Sequence, residues 1–170
     1  LVSGPKLITY ADDQERRLGA ALNADIAAVL GEHRSGRELL GRFKDAKGKA
    51  DMPAMLIAKL SQRPGGDGYG QAGAVASPEG SFIAVNYWTA REAALYAVPE
   101  SQRAALAKRL TTPEAMQDWL LANPEKRRAF VASMDHIFVH ELTHSWQARR
   151  GRFEVEMLRG NTPEVNPLEK

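Results

Sequence analysis

The sequence contains no cysteine, and this absence removes several kinds of chemistry at once. Disulfides, thiolate metal ligands and a cysteine nucleophile are all excluded. Histidine is scarce as well, with four residues in 170, so a metal site must combine a few imidazoles with carboxylates or water. The lack of cysteine fits the cytosol and a secreted bacterial enzyme equally well, and it leaves the compartment open.

Long apolar segments are also missing. No hydrophobic run approaches the roughly 18 to 20 residues needed to cross a bilayer, so we expect no membrane segment. The chain begins LVSGPKLITY, without an initiator methionine or a signal-type apolar run, which suggests a processed chain or an excised domain. Its length and its 44% hydrophobic content are typical of a soluble globular protein, and we expect residues 1–170 to form a single domain.

Charge of neither sign dominates, because 23 basic and 21 acidic residues leave a net charge of +2. The basic residues gather in three short clusters, KDAKGK, EKRR and ARRGR. Nucleic-acid-binding proteins usually concentrate more charge than this and interleave it with aromatic residues. We therefore interpret most of these side chains as solvated helix faces and expect no nucleic-acid partner.

Apolar spacing and capping residues predict a predominantly helical chain. Between Asp12 and Gly31, leucine, isoleucine and valine recur every three to four residues, which predicts an amphipathic helix. Further helix starts are predicted at Ser35 with Glu38, Asp51 with Pro53, Thr89 with Glu92, Thr112 with Pro113, and Asn123 with Pro124. The last of these helices is predicted to run unbroken to Gly151 with one core-facing apolar stripe.

The one clear β signal follows a glycine-rich stretch, QRPGGDGYG, which lacks the context of a phosphate-binding loop and is interpreted as a connection. After it, QAGAVAS and SFIAVNYW are extended segments joined by SPEG, which predicts a β-hairpin. The whole pattern predicts an α+β fold that is mostly helical, with a small hairpin or sheet beside the last helix.

The stretch IFVHELTHSWQ places His140 and His144 four residues apart on that last helix. Side chains at this spacing emerge one turn apart on the same helical face, so both imidazoles can bind one cation. Imidazole is a good ligand for Zn²⁺, and Glu141 can face a metal-bound water without being a ligand. The pattern predicts a zinc site with Glu141 as general base. The alternative is a packed helix in which both His only form hydrogen bonds.

VHELTHSWQ also resembles the active-site helix of zinc metallopeptidases of the zincin superfamily. The resemblance implies that His140 and His144 bind Zn²⁺, and that Glu141 is the general base for a zinc-activated water that hydrolyses peptide bonds. It further implies a zincin-like domain, a peptide or protein substrate, and an endopeptidase in preference to an exopeptidase. A non-catalytic zincin-like domain that binds metal or a partner is the alternative function.

Catalytic zinc normally has three protein ligands, and the motif supplies two. The metzincin branch of the superfamily is excluded, because its third His would stand at Arg150 and its Gly at Gln147. A gluzincin-like Glu from a following helix remains, and four glutamates follow the motif: Glu154, Glu156, Glu164 and Glu169. Glu169 is preferred because the Asn-Pro before it favours a helix start, with Glu164 as the alternative. If Glu169 is the ligand, its helix is cut at Lys170, and we expect the complete protein to continue.

Three further roles are open at this stage. His136, four residues before His140, is interpreted as a packing residue or as support for a ligand. SFIAVNYW is, by the same resemblance, the candidate strand for pairing with an extended substrate, or else it only covers the core. Candidates for stabilising the transition state are Tyr87, Tyr96, Arg152 and Arg159.

Overall fold

The computed structural model describes residues 10–60 and 73–151, which form a mostly helical α+β fold with one small sheet. The elements are α1 (Asp13–Leu30), α2 (Arg34–Leu40), β1 (Ala54–Ala58), β2 (Ala74–Ala76), β3 (Phe82–Asn86), α3 (Tyr87–Tyr96), α4 (Glu100–Arg109), α5 (Pro113–Ala122), α6 (Pro124–Ser133) and α7 (Asp135–Arg149). The predicted α+β class is confirmed. None of the described helices is long and apolar enough to cross a membrane.

Helix α1 begins and ends where its sequence predicts, and it is central to the core. The Asp12 carboxylate accepts a hydrogen bond from the Glu15 N–H at 2.8 Å, and Gly31 follows the last turn. Its buried residues are Leu18, Gly19, Leu22, Ile26 and Leu30. A Cβ on Gly19 would lie 2.9 Å from the Met55 carbonyl oxygen, so glycine lets the helix approach strand β1 closely.

The sheet has the order β1-β3-β2, with β3 in the centre. Strand β2 pairs antiparallel with β3, so the predicted hairpin is confirmed. Strand β1 pairs parallel with β3, in a register that places Met55 opposite Ile83. Ile83 and Val85 have no exposed surface, as expected for a central strand covered by helices.

The helix predicted after Asp51 is wrong, because Ala54–Ala58 forms strand β1. The apolar segment AMLIA is too short to distinguish a buried helix from a strand by its periodicity. In the folded protein Met55 and Ile57 are buried while their neighbours are partly exposed, which is the alternation of a strand. Pairing with β3, far along the chain, decides the outcome, and it overrides the capping signal of Asp51 and Pro53.

The long helix predicted from Asn123 to Gly151 is divided at Met134 into α6 and α7. The Ser133 hydroxyl donates a hydrogen bond to the Phe130 carbonyl at 2.7 Å, a local bond that competes with the helical ladder and favours a bend. Met134 itself is 2% exposed, so the break is buried in the core. The division makes α7, which carries the His-Glu motif, a separate helix.

Two predicted capping boxes are also wrong. Helix α2 starts after His33 without a side-chain cap, and Glu38 instead pairs with Arg34 at 2.9 Å on the surface. Helix α3 starts two residues before Thr89, because the Asn86 side chain at the end of β3 accepts the Trp88 N–H. The helix start predicted at Thr112 with Pro113 is confirmed at α5. There the Thr112 hydroxyl accepts a hydrogen bond from the Ala115 N–H at 3.1 Å.

The ion pair between Arg127 of α6 and Asp25 of α1 yields a stability prediction. Its atoms lie 2.6 Å apart, and both side chains are less than 15% exposed. Because Asp25→Asn leaves a largely buried guanidinium without its counter-charge, we expect a loss of about 3 kcal/mol in the free energy of unfolding, measured with urea. The matched control is Glu38→Gln in the exposed pair with Arg34, which should cost less than about 0.5 kcal/mol. Equal losses in both variants would contradict the prediction.

Candidate metal centre

Helix α7 is oriented by the apolar side chains on its inner face. Phe138 and Leu142 are fully buried in the core, and Ser145 continues the same face toward the hairpin. This rotation places His140 toward solvent, with 57% of its side chain exposed, and turns Glu141 inward, where the residue is 8% exposed. The motif therefore has one accessible imidazole beside one shielded carboxylate.

The two imidazoles converge as the spacing predicts. The Nε2 atoms of His140 and His144 lie 3.0 Å apart, and the rings meet edge to face with centroids 4.5 Å apart. Two nitrogen ligands at 2.0–2.1 Å from one tetrahedral Zn²⁺ are about 3.3 Å apart, so this separation fits a shared zinc ion. At 3.0 Å the two Nε2 atoms cannot both carry a proton, and at least one presents its lone pair.

The Glu141 carboxylate lies beside this pair. Its Oε1 is 3.9 Å from Nε2 of His140, which is too long for a direct hydrogen bond but places the carboxylate next to the imidazole pair. A carboxylate at this place can accept a proton from a group held at the imidazoles. The structure thus brings together the three residues that the sequence predicts as the core of the site.

A complete set of three metal ligands is not present among residues 10–60 and 73–151, where no group of three or more His, Asp or Glu side chains can hold a metal ion. The two imidazoles fit zinc by the chemistry of their donor atoms. The predicted third ligand Glu169 and its alternative Glu164 lie outside the described residues, as do Glu154 and Glu156.

Among the other candidate residues, the structure describes His136, Tyr87 and Tyr96. His136 is 74% exposed with its Nδ1 3.7 Å from Asp135, so it is not a packing residue. The Tyr87 hydroxyl is buried and donates to the Leu110 carbonyl, which removes it from contact with a substrate. Tyr96 is exposed and lies under the guanidinium of Arg103. Arg152 and Arg159 lie outside the described residues.

A clamp between α7 and the hairpin turn is a feature that the sequence motif does not reveal. The Gly80 carbonyl accepts hydrogen bonds from the Ser145 hydroxyl at 2.8 Å and from Nε of Arg149 at 2.9 Å. Arg149 also donates to the Asp51 carbonyl at 2.7 Å. Burial lowers the pKa of Arg149, and the nearby Asp51 carboxylate opposes this shift. The clamp begins at the residue after His144, so it ties the predicted ligand to the sheet.

Comparison with known proteins adds no relative: the chain matches no protein-family model, no curated protein and no solved structure. The metal centre is therefore inferred from the motif spacing and from the distances within α7.

Gly80 provides a test of the clamp because both its backbone conformation and its close approach to α7 require glycine. Its φ of +76° disfavours side chains, and a Cβ would lie 2.5 Å from the Ser145 carbonyl and 2.7 Å from Cγ of Arg149. Gly48 has the same kind of backbone, with φ +78°, but a Cβ there would meet nothing within 4 Å. We expect Gly48→Ala to cost about 1 kcal/mol of unfolding free energy and Gly80→Ala about 3 kcal/mol or more. A Gly80→Ala protein as stable as Gly48→Ala would show that the contact is not needed.

Proposed function

We propose that this protein is a zinc-dependent metallopeptidase of the zincin type, with α7 as its active-site helix. The observation that carries the proposal is the pair of Nε2 atoms 3.0 Å apart, with the Glu141 carboxylate 3.9 Å from one of them. The sequence resemblance, the α+β fold and the hairpin beside α7 support the same reading. The proposal depends on this local chemistry.

Three side chains have distinct roles in this mechanism. His140 and His144 would hold the zinc ion through Nε2, because these two atoms converge to 3.0 Å on one side of α7. When bound, zinc supplies a Lewis acid that polarises the substrate carbonyl and lowers the pKa of a water molecule. Glu141 accepts the proton of the attacking water and returns a proton to the leaving amine. Atoms balance, since one water is consumed and one amine and one carboxyl group form.

Exposure supports this division of roles. His140 is open to solvent, so a polypeptide can reach the site without a rearrangement of the described residues. The Glu141 side chain is only 10% exposed, so few competing water molecules surround the base. An accessible metal ligand beside a shielded carboxylate is the arrangement that hydrolysis of a large substrate requires.

Strand β2, and not SFIAVNYW, is the proposed strand for binding an extended substrate. Both edges of β3 are already paired, so β3 has no free edge for a substrate backbone. Among the described strands, β1 and β2 each pair on one side only, and of these two it is β2 that packs against α7. Gly73, just before β2, is so close to α7 that a Cβ there would lie 3.1 Å from Cδ1 of Ile137. A peptide added to β2 would run past the motif helix.

A zinc and activity measurement tests the proposal. We expect wild type to bind one zinc ion and to cleave an unfolded general substrate such as casein. Glu141→Gln should keep the zinc, because it leaves both imidazoles, while its kcat falls about 10²- to 10⁴-fold with loss of the general base. Metal content is measured by atomic absorption and cleavage by release of labelled peptides.

Glu92→Gln, at an exposed position on α3, is the matched control and should behave as wild type. Absence of zinc from folded wild type would overturn the proposed function. Zinc binding without any Glu141-dependent cleavage would instead support the non-catalytic domain.

The third ligand is tested by two equivalent substitutions. Glu169 is the proposed ligand. Substitution of a residue that only supports a metal ligand typically weakens metal binding 10- to 100-fold. Glu169→Gln should weaken zinc binding by more than this, because it replaces the ligand carboxylate itself. Glu164→Gln should leave zinc affinity within a few-fold of wild type. Affinity is measured by competition with a chromophoric chelator, and the reverse ranking would assign Glu164 in place of Glu169.

A further inference from the structure

Two basic clusters that are far apart in the sequence meet on one face of the folded protein. The guanidinium carbon of Arg42 lies 4.4 Å from the ring centre of Trp146, and that of Arg150 lies 4.8 Å from the same ring. Arg42 follows helix α2, whereas Trp146 and Arg150 belong to the C-terminal end of α7. The turn KDAKGK, residues 44–49, is close to this end of α7, because the Arg149 side chain contacts the Phe43 ring just before the turn and the Asp51 carbonyl just after it.

The turn that follows α2 is ordered and presents three lysines to solvent. Oδ1 of Asp45 accepts the backbone N–H of Lys47 at 2.8 Å and of Lys49 at 2.9 Å. Gly48 provides the left-handed residue that closes the turn. Lys44, Lys47 and Lys49 are all exposed. These two bonds hold the backbone of the turn through Oδ1 of Asp45.

We call the resulting surface the basic face; its members are Arg42, Lys44, Lys47, Lys49 and Arg150, with Trp146 between the two arginines. Five basic side chains and the Asp45 carboxylate leave a local charge of +4, larger than the +2 of the whole chain. Arg149 and Asp51 lie beside the basic face and pair with each other, Nη1 to Oδ2, at 3.5 Å.

We propose that the basic face binds the phosphodiester backbone of nucleic acid without reading its base sequence. A guanidinium stacked on an indole is held in place before binding, and its planar donors match two phosphate oxygens at once. A surface with this density of positive charge attracts a partner with regularly spaced negative charges. The sequence predicts no nucleic-acid partner because each basic cluster is short when considered separately. That prediction does not include the contact between Arg42 and the C-terminal end of α7. This inference is independent of the proposed peptidase activity.

The same face is poorly suited to the other anionic partners. Protein interfaces have an apolar or aromatic core, and membrane-binding faces insert apolar side chains. In the described part of the chain, the large hydrophobic residues that are exposed are Tyr96 and Val139, and neither belongs to the basic face. Trp146 is half-buried and its ring is covered by guanidinium groups. The basic face can therefore attract a partner by its charge but has no exposed apolar side chain to insert into it.

The salt dependence of binding tests the proposal with a fluorescently labelled duplex of mixed sequence. If all five basic side chains contact phosphates, log Kd against log salt has a slope of magnitude about 4.5, and affinity falls about 500-fold between 50 and 200 mM salt. Removing two contacts in Arg42→Gln/Arg150→Gln should reduce the slope to about 2.7 and the fall to about 40-fold. Lys108→Gln/Arg109→Gln, which removes two exposed charges from α4, should retain the wild-type slope.

A second variant, Lys47→Gln/Lys49→Gln, keeps the test informative if loss of the arginine stacking destabilises the fold. It leaves the Asp45 backbone bonds intact and should reduce the slope by the same amount as the arginine variant. No binding by wild type at 50 mM salt would overturn the proposal, as would equal effects of the basic-face and α4 variants. Tighter binding to phosphatidylserine vesicles or to polyglutamate than to the duplex would overturn it in favour of a membrane or a protein partner.

Discussion

The contact between Gly80 and helix α7 is the constraint on which both candidate surfaces depend. One carbonyl oxygen accepts bonds from Ser145 and Arg149, and this ties the hairpin turn to the helix just after His144. The Nη1 atom of Arg149 also donates a hydrogen bond to the Asp51 carbonyl, at the end of the lysine turn. The guanidinium carbon of Arg149 lies 5.2 Å from the ring centre of Phe43. Hairpin, motif helix and lysine turn are thus joined at one residue.

Features that depend on nearby residues could be predicted from the sequence. The His140–His144 pair forms because residues four apart share one face of any helix, and the cap of α1 forms because Asp12 stands three residues before the N–H that it accepts. The hairpin likewise follows from two short extended segments with a glycine at the turn. None of these outcomes requires a partner from far along the chain.

Features that depend on distant residues could not be predicted. AMLIA becomes a strand only because β3 lies beside it, and the predicted long helix divides at Met134, whose side chain is buried in the core. The convergence of Arg42 with Arg150 on Trp146 has no local signal at all. The identity of a proposed third zinc ligand is a question of the same kind, since a Glu after Gly151 would have to fold back to α7, and no spacing rule fixes which one would do so.

Helix α7 separates the two proposed activities by its own geometry. Trp146 follows His144 by two residues, a rotation of about 200° around the helix axis, so the indole and the imidazole point to nearly opposite sides. Arg150 lies ten residues after His140, a rise of about 15 Å. By this geometry, a nucleic acid on the proposed basic face would leave the imidazoles uncovered, and a peptide beside β2 would leave the arginines on Trp146 in place. Because the clamp at Arg149 lies between them, its loss would disturb both surfaces, whereas substitutions at Glu141 or Arg42 act on one surface each.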